Sequence, residues 1–195
     1  MDKTNELRKE IGNKFQWLLL ESNIPSMVHD FNMLVQGDNL TDMEYSVLLS
    51  SVWQRGRTEE WTTADLRRLF SSPKCIQELL MKEEEYEYFK DISTKDITLY
   101  RCMSTEEYNS KDYRIAWTLS FKEALGFWMR GGMKDVIARL HISEANRDKV
   151  QLITYFGHRY EEEIILFVEN DINEIDLIPE DFLNFVKRIM CIVLM

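Results

Sequence analysis

Apolar side chains recur at helical spacing through the first part of the chain. Residues 7–19 carry leucine, isoleucine and phenylalanine three and four positions apart, which predicts an amphipathic first helix. The other helices expected here are one capped by Ser26, one that starts with a capping box at 41–44, one over 64–70 and one over 72–90. The pattern therefore predicts a helical region over residues 1–94, which either supports the fold or recognises a substrate.

The pattern changes after residue 95, where short runs rich in β-branched and aromatic residues alternate with turns. The predicted strands are 97–101, 114–118, 136–142, 150–156 and 162–168. One helix is expected to follow the capping box at 120–123, and a last helix to cover 179–190. Helices followed by a strand-rich half favour an α+β fold over a βαβ repeat, with a β-rich second domain over residues 95–195. A chain of this length can equally form one compact domain.

Composition supports an ordered globular protein. The chain is 45% hydrophobic and contains only 7 glycines and 3 prolines. Its formal net charge of −10 disfavours nucleic acid as the primary partner, because proteins that bind it usually present a basic surface. The first residues do not resemble a signal peptide, and no apolar run reaches the length of a membrane span. We therefore expect a cytoplasmic protein that does not bind membranes, with an oligomeric state that the sequence leaves open.

The 3 cysteines and 3 histidines do not suggest a metal site. The cysteines are widely spaced without a CxxC pair, and the histidines are not at ligand spacing from them. An odd number of isolated cysteines fits a reducing compartment better than a disulfide framework. We expect no bound metal.

Three segments carry the candidate chemistry, in chain order. The first is Leu-Tyr-Arg at 99–101, the second is Ala-Trp-Thr at 116–118 ahead of a capped helix, and the third is a run of three glutamates at 161–163. If a strand begins near Glu162, Glu161 and Glu163 share one face and could stabilise a developing positive charge. A run of acids taken alone is more typical of a solvated start of a strand.

The order of these segments resembles the Arg–Ser–Glu class of ADP-ribosyltransferases, the cholera-toxin-like branch, and more closely its small prophage-encoded members. Tyr-Phe-Gly at 155–157 also precedes the acidic run at similar spacing, and the resemblance covers residues 97–168. It implies a split antiparallel β-sheet core and NAD as substrate. It also implies transfer of ADP-ribose to a side chain of a host protein, with arginine the expected acceptor and a phage-encoded, toxin-like role.

The resemblance assigns four residues to the NAD pocket. Arg101, next to Tyr100, would brace the pocket and contact the phosphate or ribose of NAD. Thr118 would fill the second hydroxyl position of the family's Ser-Thr-Ser strand and help to align the glutamate. Trp117 would either stack on the nicotinamide or pack in the core.

The resemblance assigns the catalytic roles to two glutamates. Glu163 would stabilise the oxocarbenium-like centre as nicotinamide leaves, and Glu161 would orient or deprotonate the acceptor. Ala116 departs from the family pattern, because a serine usually stands there, and Cys102 follows Arg101 where a glycine is frequent. Two alternatives stay open: a degenerate fold that inhibits a partner without catalysis, and an NAD glycohydrolase with water as acceptor.

Overall fold

The computed structural model describes residues 3–21, 23–56, 61–130, 135–157, 162–168 and 175–193. The chain forms two compact units, Met1–Phe89 and Lys90–Met195. No helix in these described ranges is long and apolar enough to cross a membrane.

The first unit is helical. Its elements are α1 (Lys3–Lys14), α2 (Gln16–Leu19), α3 (Ile24–Gln36), α4 (Asp42–Gly56), α5 (Thr63–Phe70), a 3₁₀ turn (Gln77–Leu80) and the start of α6 (Glu83–Ile92). The predicted first helix is interrupted at Phe15, and the single helix expected over 72–90 is wrong. That stretch instead holds the 3₁₀ turn and then α6.

The N-termini of α3 and α4 show which capping predictions hold. Asn23, not Ser26, caps α3, because the Asn23 side chain accepts a hydrogen bond from the Ser26 backbone N–H at 3.2 Å. The capping box of α4 is confirmed: Thr41 Oγ1 accepts from the Glu44 N–H at 3.3 Å, and Glu44 accepts from the Thr41 N–H at 2.9 Å. Lys14 of α1 also donates a hydrogen bond to the Glu44 carboxylate.

The second unit contains the sheet. Its elements are β1 (Ile97–Ser104), α7 (Thr105–Ser110), β2 (Ala116–Thr118), α8 (Phe121–Arg130), β3 (Asp135–Ile142), a 3₁₀ turn (Arg147–Lys149), β4 (Val150–Phe156), β5 (Glu163–Val168), β6 (Ile175–Leu177) and α9 (Glu180–Val193). In the described part of the chain the six strands form one sheet in the order β4-β5-β2-β1-β3-β6, and every pair is antiparallel. The predicted α+β class with an antiparallel sheet is therefore confirmed. The helix α7 and the edge strand β6 were not predicted.

Apolar side chains cover both faces of this sheet. On one face the alternate β1 residues Ile97, Leu99 and Met103 are buried. On the other face Ile137 of β3 packs in a cluster with residues of α8 and α9. The central strands therefore run through a packed core, and polar side chains on them need specific partners.

Candidate functional site

The three segments singled out in the sequence lie on neighbouring strands. β1, β2 and β5 are adjacent in the sheet, and Thr118 of β2 pairs with Tyr100 of β1 on one side and with Glu163 of β5 on the other. Directly paired residues in an antiparallel sheet share one face, and strands lie about 4.8 Å apart. Tyr100, Thr118 and Glu163 therefore form a row about 10 Å long on one face of the sheet.

Thr118 stands where β2 turns into α8. It is buried, and its Oγ1 accepts a hydrogen bond from the Ser120 backbone N–H at 2.9 Å. Ser120 Oγ in turn accepts from the Glu123 N–H at 3.3 Å, which is one half of the capping box predicted here, while the Ser120 N–H donates to Thr118. The threonine hydroxyl thus has a local structural partner in addition to its place beside the glutamate.

Glu163 is the first residue of β5 and is half-buried. Thr118 flanks it on one side, and on the other side it pairs with Phe156 of β4, which is fully buried. Its two cross-strand neighbours are therefore a buried residue with a hydroxyl and a buried apolar ring. The arrangement places one carboxylate at the edge of a mostly apolar surface.

The residue before it, Glu162, is not in the strand. Its φ of 44° lies in the left-handed region, and its carbonyl accepts a hydrogen bond from the Leu119 N–H at 3.1 Å. The strand predicted over 162–168 therefore begins one residue later, at Glu163, and Glu162 does not take part in its alternation. Glu161 lies outside the described residues, so its pairing with Glu163 stays a prediction.

Tyr100 connects the row to the helices that cover it. Its ring meets Phe121 of α8 edge-on at 5.3 Å between centroids, and Phe121 lies 6.2 Å from Phe182 of α9. Tyr100 is only partly buried in this cluster. An aromatic surface therefore borders the side of Thr118 that faces away from Glu163.

Arg101 follows Tyr100 along β1, so its side chain leaves from the opposite face of the sheet. Its guanidinium donates to Glu107 of α7, at 2.8 Å from Nε to Oε1, and to the Ala116 carbonyl, at 2.5 Å from Nη1. The arginine side chain is only 14% exposed. Arg101 therefore joins β1 to the start of β2 on the face opposite to Thr118 and Glu163. The structure does not bring it to the row, so its predicted contact with the phosphate or ribose of NAD stays a prediction.

Trp117 is not brought to the row. It pairs with Ile164 on the opposite face from Thr118, is 2% exposed, and meets the Tyr113 ring at 6.2 Å. Its Nε1 is buried without a hydrogen-bond partner among the described residues. Trp117 is a core residue in this structure, which favours the packing alternative over stacking on nicotinamide.

Two departures from the family pattern also have clear positions. Ala116 lies two residues before Thr118 on the same face and pairs with Ile165, so the usual first serine position offers a methyl group and no hydroxyl. Cys102 pairs with Ile137 and packs, partly buried, against the cluster formed with α8 and α9. Both positions extend the row with apolar surface.

Two features near the row were missed from the sequence. Glu107 holds Arg101, and the pattern Ser-Thr-Glu-Glu at 104–107, which resembles a capping box, could have revealed it. Across the sheet from Tyr100, Arg139 forms an exposed ion pair with Asp176, which raises the pKa of the arginine and lowers that of the carboxyl. A cross-strand pair of this kind depends on register, which the sequence did not supply.

The described ranges contain no group of three or more histidine, cysteine, aspartate or glutamate side chains that could hold a metal ion.

The comparisons with known proteins give no match. No family model, no curated protein and no solved structure matches the chain.

Proposed function

We propose that the protein is a mono-ADP-ribosyltransferase that transfers ADP-ribose from NAD to a protein side chain, with arginine the expected acceptor. The observation that carries the proposal is the direct pairing of Thr118 with Glu163, with Tyr100 on the next strand. Segments far apart in the sequence lie on adjacent strands, with Thr118 and Glu163 on one face of the sheet and Arg101 leaving from the other. The proposed fold is the split sheet of that class, which is finer than the antiparallel α+β architecture described above.

The proposed reaction breaks the bond between the ribose C1′ and the nicotinamide nitrogen. The bonding electrons leave with nicotinamide, which becomes neutral, and the ribose acquires oxocarbenium character. Glu163 supplies the negative charge that stabilises this centre, as carboxylates do in glycoside hydrolysis. A nitrogen lone pair of the acceptor then forms the new bond to C1′, and the acceptor loses a proton to a base, the role proposed for Glu161.

The other site residues prepare this step. Thr118 helps to align Glu163, since the two are cross-strand neighbours on one face. Tyr100 offers an aromatic surface at the end of the row, next to Phe121. Arg101 acts as a brace through its contacts with Glu107 and with the Ala116 carbonyl. NAD is the substrate here, and the reaction as proposed uses no metal.

The proposed acceptor is a host protein, and the proposed setting is the cytoplasm, with the enzyme acting as a phage-encoded modifier. The net charge of −10 supports a protein acceptor with a basic, arginine-bearing surface more than it supports nucleic acid.

The test is transfer of labelled ADP-ribose from NAD to poly-arginine, with poly-lysine as the matched acceptor control. Label on poly-arginine and not on poly-lysine is the expected result. Release of free ADP-ribose with neither polymer labelled would identify an NAD glycohydrolase. NAD that stays intact with every acceptor, including a bacterial lysate, would contradict the proposal.

A second candidate is a non-enzymatic inhibitor on a transferase-like fold, and Ala116 is the observation that favours it. Ala116 has a methyl group where the family usually has a serine, so this position lacks a hydroxyl. This candidate predicts no thermal stabilisation by NAD, and partner binding that survives the double substitution Glu161→Gln/Glu163→Gln. Thermal stabilisation by NAD would count against it.

A further inference from the structure

Arg101 is held on both sides by partners from other elements. Its Nε donates to Glu107 Oε1 at 2.8 Å, Nη2 donates to Glu107 Oε2 at 3.4 Å, and Nη1 donates to the Ala116 carbonyl at 2.5 Å. The guanidinium therefore links α7 to the first residue of β2. Because its planar fork fixes the directions of these bonds, the position of the carboxylate determines where Nη1 points.

Glu107 also contacts the segment that precedes β2. Its Oε1 also accepts a hydrogen bond from the Arg114 backbone N–H at 2.9 Å, two residues before β2 begins. Ser104 Oγ caps α7 by accepting from the Glu107 N–H at 3.1 Å. With its side chain only 13% exposed, the carboxylate joins β1, α7 and the segment that leads into β2.

β2 is short, so a contact at its first residue bears on the whole strand. It spans only Ala116–Thr118, and its first residue is the one bonded to Arg101. A shift of the Ala116 carbonyl would carry along Thr118, two residues further on. The Thr118 side chain would then move relative to Glu163.

We infer that Glu107 is a positioning residue of the proposed transferase site. It orients Arg101, and Arg101 fixes β2 so that the Thr118 hydroxyl stands beside Glu163. The inference rests on the proposed function. In this account, the ion pair between Arg101 and Glu107 on one face of the sheet determines the placement of Thr118 beside Glu163 on the other face.

The experiment compares Glu107→Gln with Asp112→Asn, an exposed acid-to-amide change in the same segment. Steady-state nicotinamide release gives kcat and KM for NAD, and thermal unfolding gives the folded fraction. We expect kcat of Glu107→Gln to fall about 10-fold to 100-fold with a smaller change in KM, since misplacement by about 1 Å is that costly. Asp112→Asn is expected to keep the wild-type kcat. If Glu107→Gln does not fold, Glu107→Asp, which keeps the charge but shortens its reach, replaces it with the same expectation.

A double substitution separates positioning from a merely structural role. If Glu107 acts through Arg101, Glu107→Gln lowers kcat much less in an Arg101→Lys background than in the wild type. The inference would be overturned if folded Glu107→Gln kept the wild-type kcat. It would also be overturned if the losses in kcat from Glu107→Gln and Arg101→Lys simply added in the double variant. Neither result would contradict the proposed function. A wild-type protein that neither binds nor cleaves NAD would overturn both.

Discussion

Thr118 and Glu163 are direct cross-strand partners, the last residue of β2 against the first residue of β5. Their Cα atoms are about 4.5–5.5 Å apart in such a pair, and their side chains leave from the same face. At this spacing the hydroxyl can donate a hydrogen bond to the carboxylate, or the two groups can bind a ligand hydroxyl between them. The proposed chemistry depends on this relationship.

The Thr118 hydroxyl can be tested by two substitutions of similar size. Thr118→Val removes the acceptor of the Ser120 N–H, so we expect a loss of about 1 kcal/mol in the free energy of unfolding. We also expect nicotinamide release to fall about tenfold or more. Thr118→Ser keeps the hydroxyl, so we expect it to retain most of the wild-type stability and most of the wild-type rate of nicotinamide release. A valine variant with wild-type kcat would show that the hydroxyl takes no part in the reaction.

The left-handed conformation of Glu162 predicts an unusual order of stability. At a φ of 44° a residue with a Cβ is strained, whereas glycine is not. We therefore expect Glu162→Gly to be more stable than Glu162→Ala by about 1 kcal/mol, although glycine usually ranks below alanine. Chemical denaturation of the two variants measures the difference. A more stable alanine variant would contradict the assigned backbone conformation.

The ion pair of Glu44 with Lys14 leads us to expect that the helical unit becomes less stable in acid. The hydrogen bond from Lys14 is the main cause that lowers the pKa of this carboxyl, and the Thr41 cap adds to it. Because the folded pKa lies below the unfolded value of about 4.3, the stabilisation is complete above that value and is lost as pH falls through the folded pKa. Glu44→Gln is therefore expected to be less stable than wild type near pH 7, by about 1 kcal/mol or less because Lys14 is 62% exposed.

The comparison of unfolding free energies at pH 7 and pH 3 checks this expectation. The difference in unfolding free energy between wild type and Glu44→Gln should become smaller as the pH falls. Lys14→Met, which removes the partner and keeps the helix, should show the same narrowing. A gap that stays constant with pH would mean that the ion pair does not contribute.

The sequence predicted the elements of the site well because local patterns define them. The strands that carry Tyr100 and Thr118, and the capping sequence at 120–123, were located from short runs of residues. Their adjacency in the sheet was expected only through the family resemblance. Register is a long-range property, so the pairing of Thr118 with Glu163 required the structure.

The failures have equally specific causes. Asn23 competes with Ser26 as a cap, and both residue types are favoured at that position. The stretch 72–90 looked like one helix because proline is tolerated at a first turn, yet a 3₁₀ turn precedes α6. The sequence also gave no sign that Glu162 leaves the extended conformation, because a glutamate in the left-handed region is held there by its surroundings.

The most direct measurement is nicotinamide release from NAD by wild type, Glu163→Gln and Glu162→Gln. The two substitutions are the same chemical change at adjacent positions, one in the row with Thr118 and one outside the strand. We predict that Glu163→Gln lowers kcat by about 100-fold or more while Glu162→Gln stays within a few-fold of wild type. Equal rates for Glu163→Gln and wild type would contradict the account.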